Sequence, residues 1–261
     1  MYLQKIIDYK KQELEHVRRK VSLNDVRLKA EDAGPVRDFA KALRVTKGSG
    51  PIRIIAEIKK ASPSAGVIRP DLKPLDVARG FEENGASALS ILTDEHFFQG
   101  SLESLQKIRK LVKIPLLRKD FTLDEYHLYE ARAAGADAVL LIVRVLTNSQ
   151  LKDYQDLARE LGLAALIEVH EAKEIERAKE SGAVLFGINN RNLDTFKVDL
   201  DTSVQLAKEI PSNAVVVGES GISERAHIQK LKEVGIHAFL IGEALMKSPD
   251  PGKKLKELLK N

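Results

Sequence analysis

Several polar side chains fall at the ends of short apolar runs: Glu57 and Lys59 in IRIIAEIK, Lys119 in IPLLRKDF, Glu168 in LAALIEV, Asn189 and Arg191 in FGINNR, and Glu219 in AVVVGES. Lysines and carboxylates together are suited to acid–base chemistry. A carboxylate takes up a proton, while a lysine delivers one or neutralises a developing oxyanion. A lysine such as Lys59 or Lys119 could also form a Schiff base with a carbonyl substrate. Burying so many charges unpaired would be costly, so mutual pairing in a cleft is expected, and such pairing moves pKa values. Other chemistries have less support. Cysteine is absent, which excludes disulfides, thiolate nucleophiles and Cys-ligated metal sites. His16, His96, His127, His170, His227 and His237 lack the paired spacing of metal ligands, so no metal site is expected. There is no GxSxG elbow for acyl transfer.

The elements that must position these residues repeat along the chain. ENGASALSILT, AAGADAVLLIV, ESGAVLFGINN and EVGIHAFLIGE each carry a helix-like stretch into a glycine (Gly85, Gly135, Gly182, Gly235), then an apolar strand. Glycine closes a helix C-terminus readily, so each is the αβ half of a βα repeat. The intervals between them hold the further strands IPLLRKDF, LAALIEV and AVVVGES, and IRIIAEIK precedes them all. Eight strands result, with helices predicted at about 74–84, 101–111, 123–134, 148–161, 171–181, 201–209, 224–234 and 250–260. The expected fold is a (β/α)8 TIM barrel, since closure removes the edges of a parallel sheet that must bury both faces. An open doubly wound sheet is the alternative. The chain is predicted to be a single domain, with an N-terminal helical extension (1–48) packed on a barrel at 49–261. The extension reads as helices at LQKIIDYKKQELEHVRRK and PVRDFAKAL, joined to the barrel by the linker TKGSGP.

Active sites in such barrels lie at the C-terminal ends of the strands, so the period-2 alternation decides which residues face the mouth. It aligns Ile55, Glu57 and Lys59; Pro115, Leu117, Lys119 and Phe121; Ala164, Leu166 and Glu168; Gly187, Asn189 and Arg191, with Leu193 beyond; and Val215, Val217 and Glu219. Two Gly-containing loops, ESGIS and IGEALM, follow the seventh and eighth strands, where backbone N–H groups at helix starts bind phosphate. Hydrophobic residues at 43% and charged residues at 31% of 261 suit a globular protein. The net charge of +4 is spread over interleaved acids and bases such as KKQELEHVRRK, so no nucleic-acid partner is expected. No apolar run is long enough to span a membrane, and the charged start is unlike a signal peptide, so a cytoplasmic location is expected.

In order along the chain, AEIKKASPSAG, SILTDEHFFQG, LLRKDF, IEVH, GINNRNLDTF, GESGI and LIGEALM resemble the indole-3-glycerol-phosphate synthase family over essentially the whole length. The resemblance implies closure of the indole ring of 1-(2-carboxyphenylamino)-1-deoxyribulose 5-phosphate, with loss of CO2 and water and without a cofactor. It implies a catalytic set of Glu57, Lys59, Lys119, Glu168, Asn189 and Ser220, surrounded by Arg191 and Glu219. It places Phe98, Phe121, Leu140 and Leu193 in an apolar clamp on the aromatic ring, positions that ordinary core packing would also explain. Ser62, Gly221 and Gly242 fit the phosphate end, and Leu240 joins the substrate-binding set. Position 243 is Glu where some members carry a small hydroxyl residue, so phosphate contact there should come from backbone N–H groups. Which lysine serves ring closure and which dehydration is left open. The implied partner is a phosphorylated small molecule, and a monomer is the family expectation. A Schiff-base aldolase and a non-catalytic phosphate sensor are the competing readings on the same barrel.

Overall fold

The structure is a computed structural model that describes residues 2–45 and 50–260. Eight parallel strands close into a barrel: β1 (Arg53–Ile58), β2 (Ala88–Leu92), β3 (Leu116–Lys119), β4 (Ala138–Ile142), β5 (Ala164–Val169), β6 (Leu185–Asn189), β7 (Val215–Glu219) and β8 (Ala238–Ile241). Each pairs with its sequence neighbours, and β1 closes the ring on β8 through the register Ile55↔Leu240. All eight predicted strands are present, and the closed ring excludes the open sheet.

Two concentric apolar layers hold the barrel. Inside are Ile55, Ala88, Leu117, Ala138, Leu166, Leu185, Val217 and Leu240; outside, Ile54, Ala56, Leu116, Ile167 and Phe239 meet the surrounding helices. The strand alternation thus divides side chains between layers as the pattern requires, each buried Leu or Ile contributing about 1.5–3 kcal/mol. The helices that follow the strands are α4 (Pro74–Glu83), α6 (Leu102–Leu111), α7 (Glu125–Ala133), α8 (Asn148–Glu160), α9 (Ala172–Glu180), α10 (Asp201–Leu206), α11 (Arg225–Lys232) and α13 (Pro251–Leu259), with short α5 (Glu95–Phe98) and α12 (Glu243–Lys247) added after β2 and β8. The four repeat glycines all take left-handed φ values, between 86° and 93°, which is what stops each helix and turns the chain into the next strand.

The N-terminal extension differs from its expected form. It holds α1 (Tyr2–Lys20), α2 (Leu23–Glu31) and α3 (Phe39–Leu43). The helix α2 was not expected, yet SLND is a capping box in which Ser22 and Asp25 satisfy one another's backbone N–H groups. The predicted helix at PVRDFAKAL begins only at Phe39, N-capped by Asp38. Residues before it are drawn out to the barrel: the Arg37 N–H donates to the buried Asp137 at 2.6 Å, which also accepts from Arg109 and the Leu116 N–H. Phe39 and Leu43 join the interior layer without lining the cleft at the strand C-termini, so α3 closes the opposite end of the barrel. Most of the TKGSGP linker lies outside the described residues. Among the described residues no helix is long and apolar enough to cross a membrane.

Candidate active site

The C-terminal strand ends surround a cleft of about 420 Å³. Each of the sixteen residues singled out above lines it. The charges form two clusters. Lys59 Nζ donates to Glu57 Oε1 at 2.7 Å, and Ser90 Oγ donates to Glu57 Oε2 at 3.3 Å. Lys119 Nζ lies 3.2 Å from Glu168 Oε2 and 3.9 Å from Glu219 Oε2, with both carboxylates 2% exposed.

These neighbours set the protonation states. Burial opposes charge on Lys119, but Glu168, Glu219 and Glu57 outweigh it and hold the ammonium above the ordinary lysine value. Burial also opposes charge on Glu57 and Glu168, yet both stay below the usual carboxylate value. For Glu57 the pull comes from Lys59 and Lys119, and for Glu168 from Lys119, His170 and Asn189. The carboxyl of Glu219 goes the other way, pushed up to about 8 by burial and then by the charge on Glu168. It is therefore a neutral acid at pH 7 beside an ionised base.

The displacement of Glu219 has a testable sign. A carboxyl raised from 4.5 to about 8 gives stability that is complete below its ordinary value and lost as pH rises toward 8. Glu219→Gln keeps a neutral side chain, so its melting temperature should gain on the parent as the buffer goes from about pH 5 to about pH 9. A difference constant over that range would mean that Glu219 ionises like an exposed carboxylate.

Two glycines make room for these carboxylates. A Cβ at Gly187 would sit 2.0 Å from Glu219 Oε1, and one at Gly242 would sit 2.5 Å from Glu57 Oε1. Gly187 therefore serves the acid on β7, and Gly242 serves β1 besides marking the phosphate loop. In the ESGIS loop Ser220 and Gly221, both lining the cleft, adopt left-handed φ, 64° and 77°, a strained choice for serine. Arg191 does not reach Glu219: its guanidinium donates to Glu243 Oε2 at 3.3 Å and to the Phe196 carbonyl at 3.2 Å. Asn190 staples the loop, donating from its N–H and Nδ2 to the Glu219 carbonyl and accepting from the Ser203 N–H. Part of the NNRNL motif is therefore scaffolding. Phe98 and Phe121 face each other with ring centroids 6.4 Å apart and, with Leu140, Leu193 and Leu240, form apolar walls.

Sequence reasoning missed several contributors. Ser90 occupies the inward position of β2 between Ala88 and Leu92, and extending the same alternation to that strand would have found it. Tyr2, Leu3 and Ile6 bring α1 into the cleft wall. Lys10, 3% exposed, reaches under the cleft to Asp120 Oδ1 at 3.0 Å and Asp94 Oδ2 at 3.6 Å. Asp120 follows Lys119 directly, and Asp94 caps α5, which carries Phe98. The pairing of Lys10 with Glu13 three residues on looks like an ordinary surface helix pair, and nothing local marks the other two partners, which are more than 80 residues away.

An interior packed solid, opposed lysines and carboxylates at the strand C-termini, and glycine loops after β7 and β8 together define a (β/α)8-barrel acid–base enzyme. Solved structures share that fold: a 3-hexulose-6-phosphate synthase matches with TM-score 0.64 at 16% identity over 79% of this chain and 98% of its own. A mutant tryptophan synthase alpha-subunit from Pyrococcus furiosus matches with TM-score 0.61 at 18% identity over 81% and 99%. The family model for indole-3-glycerol phosphate synthase matches residues 3–258. The indole-3-glycerol phosphate synthase of Albidiferax ferrireducens is 47% identical over 98% of this chain and 97% of its own length, and that of Variovorax paradoxus is 45% identical over 99% and 98%. The chain belongs to the indole-3-glycerol phosphate synthase family.

Proposed function

We propose that the cleft converts 1-(2-carboxyphenylamino)-1-deoxyribulose 5-phosphate to indole-3-glycerol phosphate, CO2 and water, and that the Lys119–Glu168–Glu219 and Lys59–Glu57 clusters carry the chemistry. The observation that supports this most is the first cluster: one ammonium held charged, one carboxylate held ionised and one carboxyl held neutral within a single contact shell.

Each step needs one of these states. The aromatic carbon bearing the carboxylate attacks the ketone, and an alkoxide develops on the ketone oxygen. Lys119 neutralises that charge; an alkoxide is far more basic than any lysine amine, so proton transfer to it is downhill. Carbon–carbon cleavage then releases CO2, its electron pair passing into the ring toward the iminium formed on the ring nitrogen. The new hydroxyl leaves as water after protonation, for which Lys59, paired with Glu57, is the second acid. A base removes the last proton and restores the indole, and Glu168, ionised and beside Lys119, is suited to that work. Phe98, Phe121, Leu140, Leu193 and Leu240 would hold the aromatic ring, which favours the near-attack geometry. The backbone N–H groups around Ser220, Gly221 and Gly242, together with Ser62, would hold the phosphate. The same reading takes the protein as a cytoplasmic monomer. Measuring both products tests it: CO2 and the indole should appear in equal amounts.

A further inference from the structure

Phe98 and Phe121, the facing rings of the apolar wall, are each tethered through the backbone to a buried carboxylate. Asp94 Oδ1 accepts from the Phe97 N–H at 2.7 Å and from the Phe98 N–H at 3.2 Å, and Asp120 Oδ1 accepts from the Phe121 N–H at 2.8 Å. The two rings therefore come from different strand ends, one from α5 after β2 and one from just beyond β3. Lys10 of α1 spans the gap between the carboxylates, its Nζ 3.0 Å from Asp120 Oδ1 and 3.6 Å from Asp94 Oδ2. Asp120 has further partners in Arg118 and the Thr93 hydroxyl. Lys10, by contrast, is the only cation paired with Asp94 among the described residues, and Asp94 Oδ2 has no hydrogen bond. Tyr9, one residue before Lys10, stacks on His96 of α5 with ring centroids 4.0 Å apart, so α1 grips the segment that carries Phe98 at two adjacent positions.

Burial raises the Asp94 carboxyl above its ordinary value, Lys10 opposes that rise and Asp120 adds to it. Without the ammonium the two carboxylates would repel each other, and each would draw one ring away from the other. Lys10 does not itself line the cleft, so it acts on a ligand only through the groups it holds. We infer that Lys10 is a positioning residue for the aromatic clamp: by bridging Asp94 and Asp120 it fixes the separation of Phe98 and Phe121, and with it the affinity for a ligand's aromatic ring. The loops assigned to the phosphate follow β7 and β8, and the ion pairs of Lys10 do not reach them. The inference deepens the synthase reading and rests on it, because it takes the ring to bind against Phe98 and Phe121.

Calorimetric titration of the full chain with indole-3-glycerol phosphate and with inorganic phosphate separates the ring from the phosphate. In Lys10→Met the dissociation constant of indole-3-glycerol phosphate should rise about tenfold or more, while that of inorganic phosphate stays within about twofold of the parent. Asp94→Asn keeps the Oδ1 cap on α5 and removes the charge that Lys10 bridges. It should give a ring-specific rise of about threefold or more, and it carries the test if Lys10→Met does not fold. Parallel weakening of both ligands would overturn the inference and leave Lys10 as a support for α1. Affinity for indole-3-glycerol phosphate within about twofold of the parent in every variant that folds would also overturn it. A parent that binds inorganic phosphate but not indole-3-glycerol phosphate would instead defeat the synthase reading, and the inference with it.

Discussion

Lys119→Met should lower turnover by about a thousandfold or more, while the protein remains folded and substrate affinity changes much less. Methionine keeps most of the stem volume, so the loss is that of the charge. The ammonium stabilises the alkoxide of ring closure, and in a site closed to water such stabilisation is the largest single term available. Its removal also acts on the base. Lys119 is the leading counterweight to the burial of Glu168, and without it Glu57, Glu168 and Glu219 face one another with only Lys59 in contact with Glu57. Glu168 would then bind a proton more readily and be a poorer base at neutral pH. Steady-state indole formation, with far-UV circular dichroism as the check on folding, measures the effect. A loss below about tenfold would mean that Lys119 only supports the site.

Lys10→Met should cost about 3–5 kcal/mol of stability at neutral pH, because it removes one partner of a buried ionic cluster and leaves the other charges in place. Asp94 is fully buried, and Asp120, though burial opposes its charge, is held well below the ordinary carboxylate value by Lys10 and Arg118. The pH dependence follows from that depressed value. Stability from the pair is present above the ordinary Asp value of 3.8 and is lost as pH falls below it, so the penalty should shrink in acid. Urea unfolding at about pH 7 and about pH 2.5 measures this. A penalty under about 1 kcal/mol at neutral pH would show that α1 is only loosely docked. Because α1 also supplies Tyr2, Leu3 and Ile6 to the cleft, the Michaelis constant should rise in the same variant.

The barrel was legible because its signals are local. A helix-stopping glycine followed by an apolar strand recurs four times, three further apolar runs fill the intervals and one precedes them all, which gives eight strands, and period-2 alternation assigns each side chain to the inner or outer layer. The same alternation aimed Glu57, Lys119, Glu168, Asn189 and Glu219 into one mouth, where the structure places them. The N-terminal segment was less legible. The PVRDFAKAL pattern is helical in composition, yet Asp137, about 100 residues away, draws Arg37 into an extended path and delays the helix to Phe39. Protonation states were illegible for a similar reason. Glu168 and Glu219 look alike in sequence; Lys119, His170 and Asn189 hold the first ionised against its burial, while burial and the charge on Glu168 keep the second neutral. The pairings of Arg191 with Glu243 and of Lys10 with Asp120 are likewise products of closure, not of spacing.

The chain contains no tryptophan, so indole fluorescence appearing in its presence comes from product alone. Mixing the purified protein with 1-(2-carboxyphenylamino)-1-deoxyribulose 5-phosphate and following that fluorescence is the most direct test of the proposed chemistry. The expected result is a continuous rise to one equivalent of indole per substrate, without added metal or cofactor. A folded protein that leaves the substrate unchanged would contradict the assignment of the Lys119–Glu168–Glu219 cleft to indole formation.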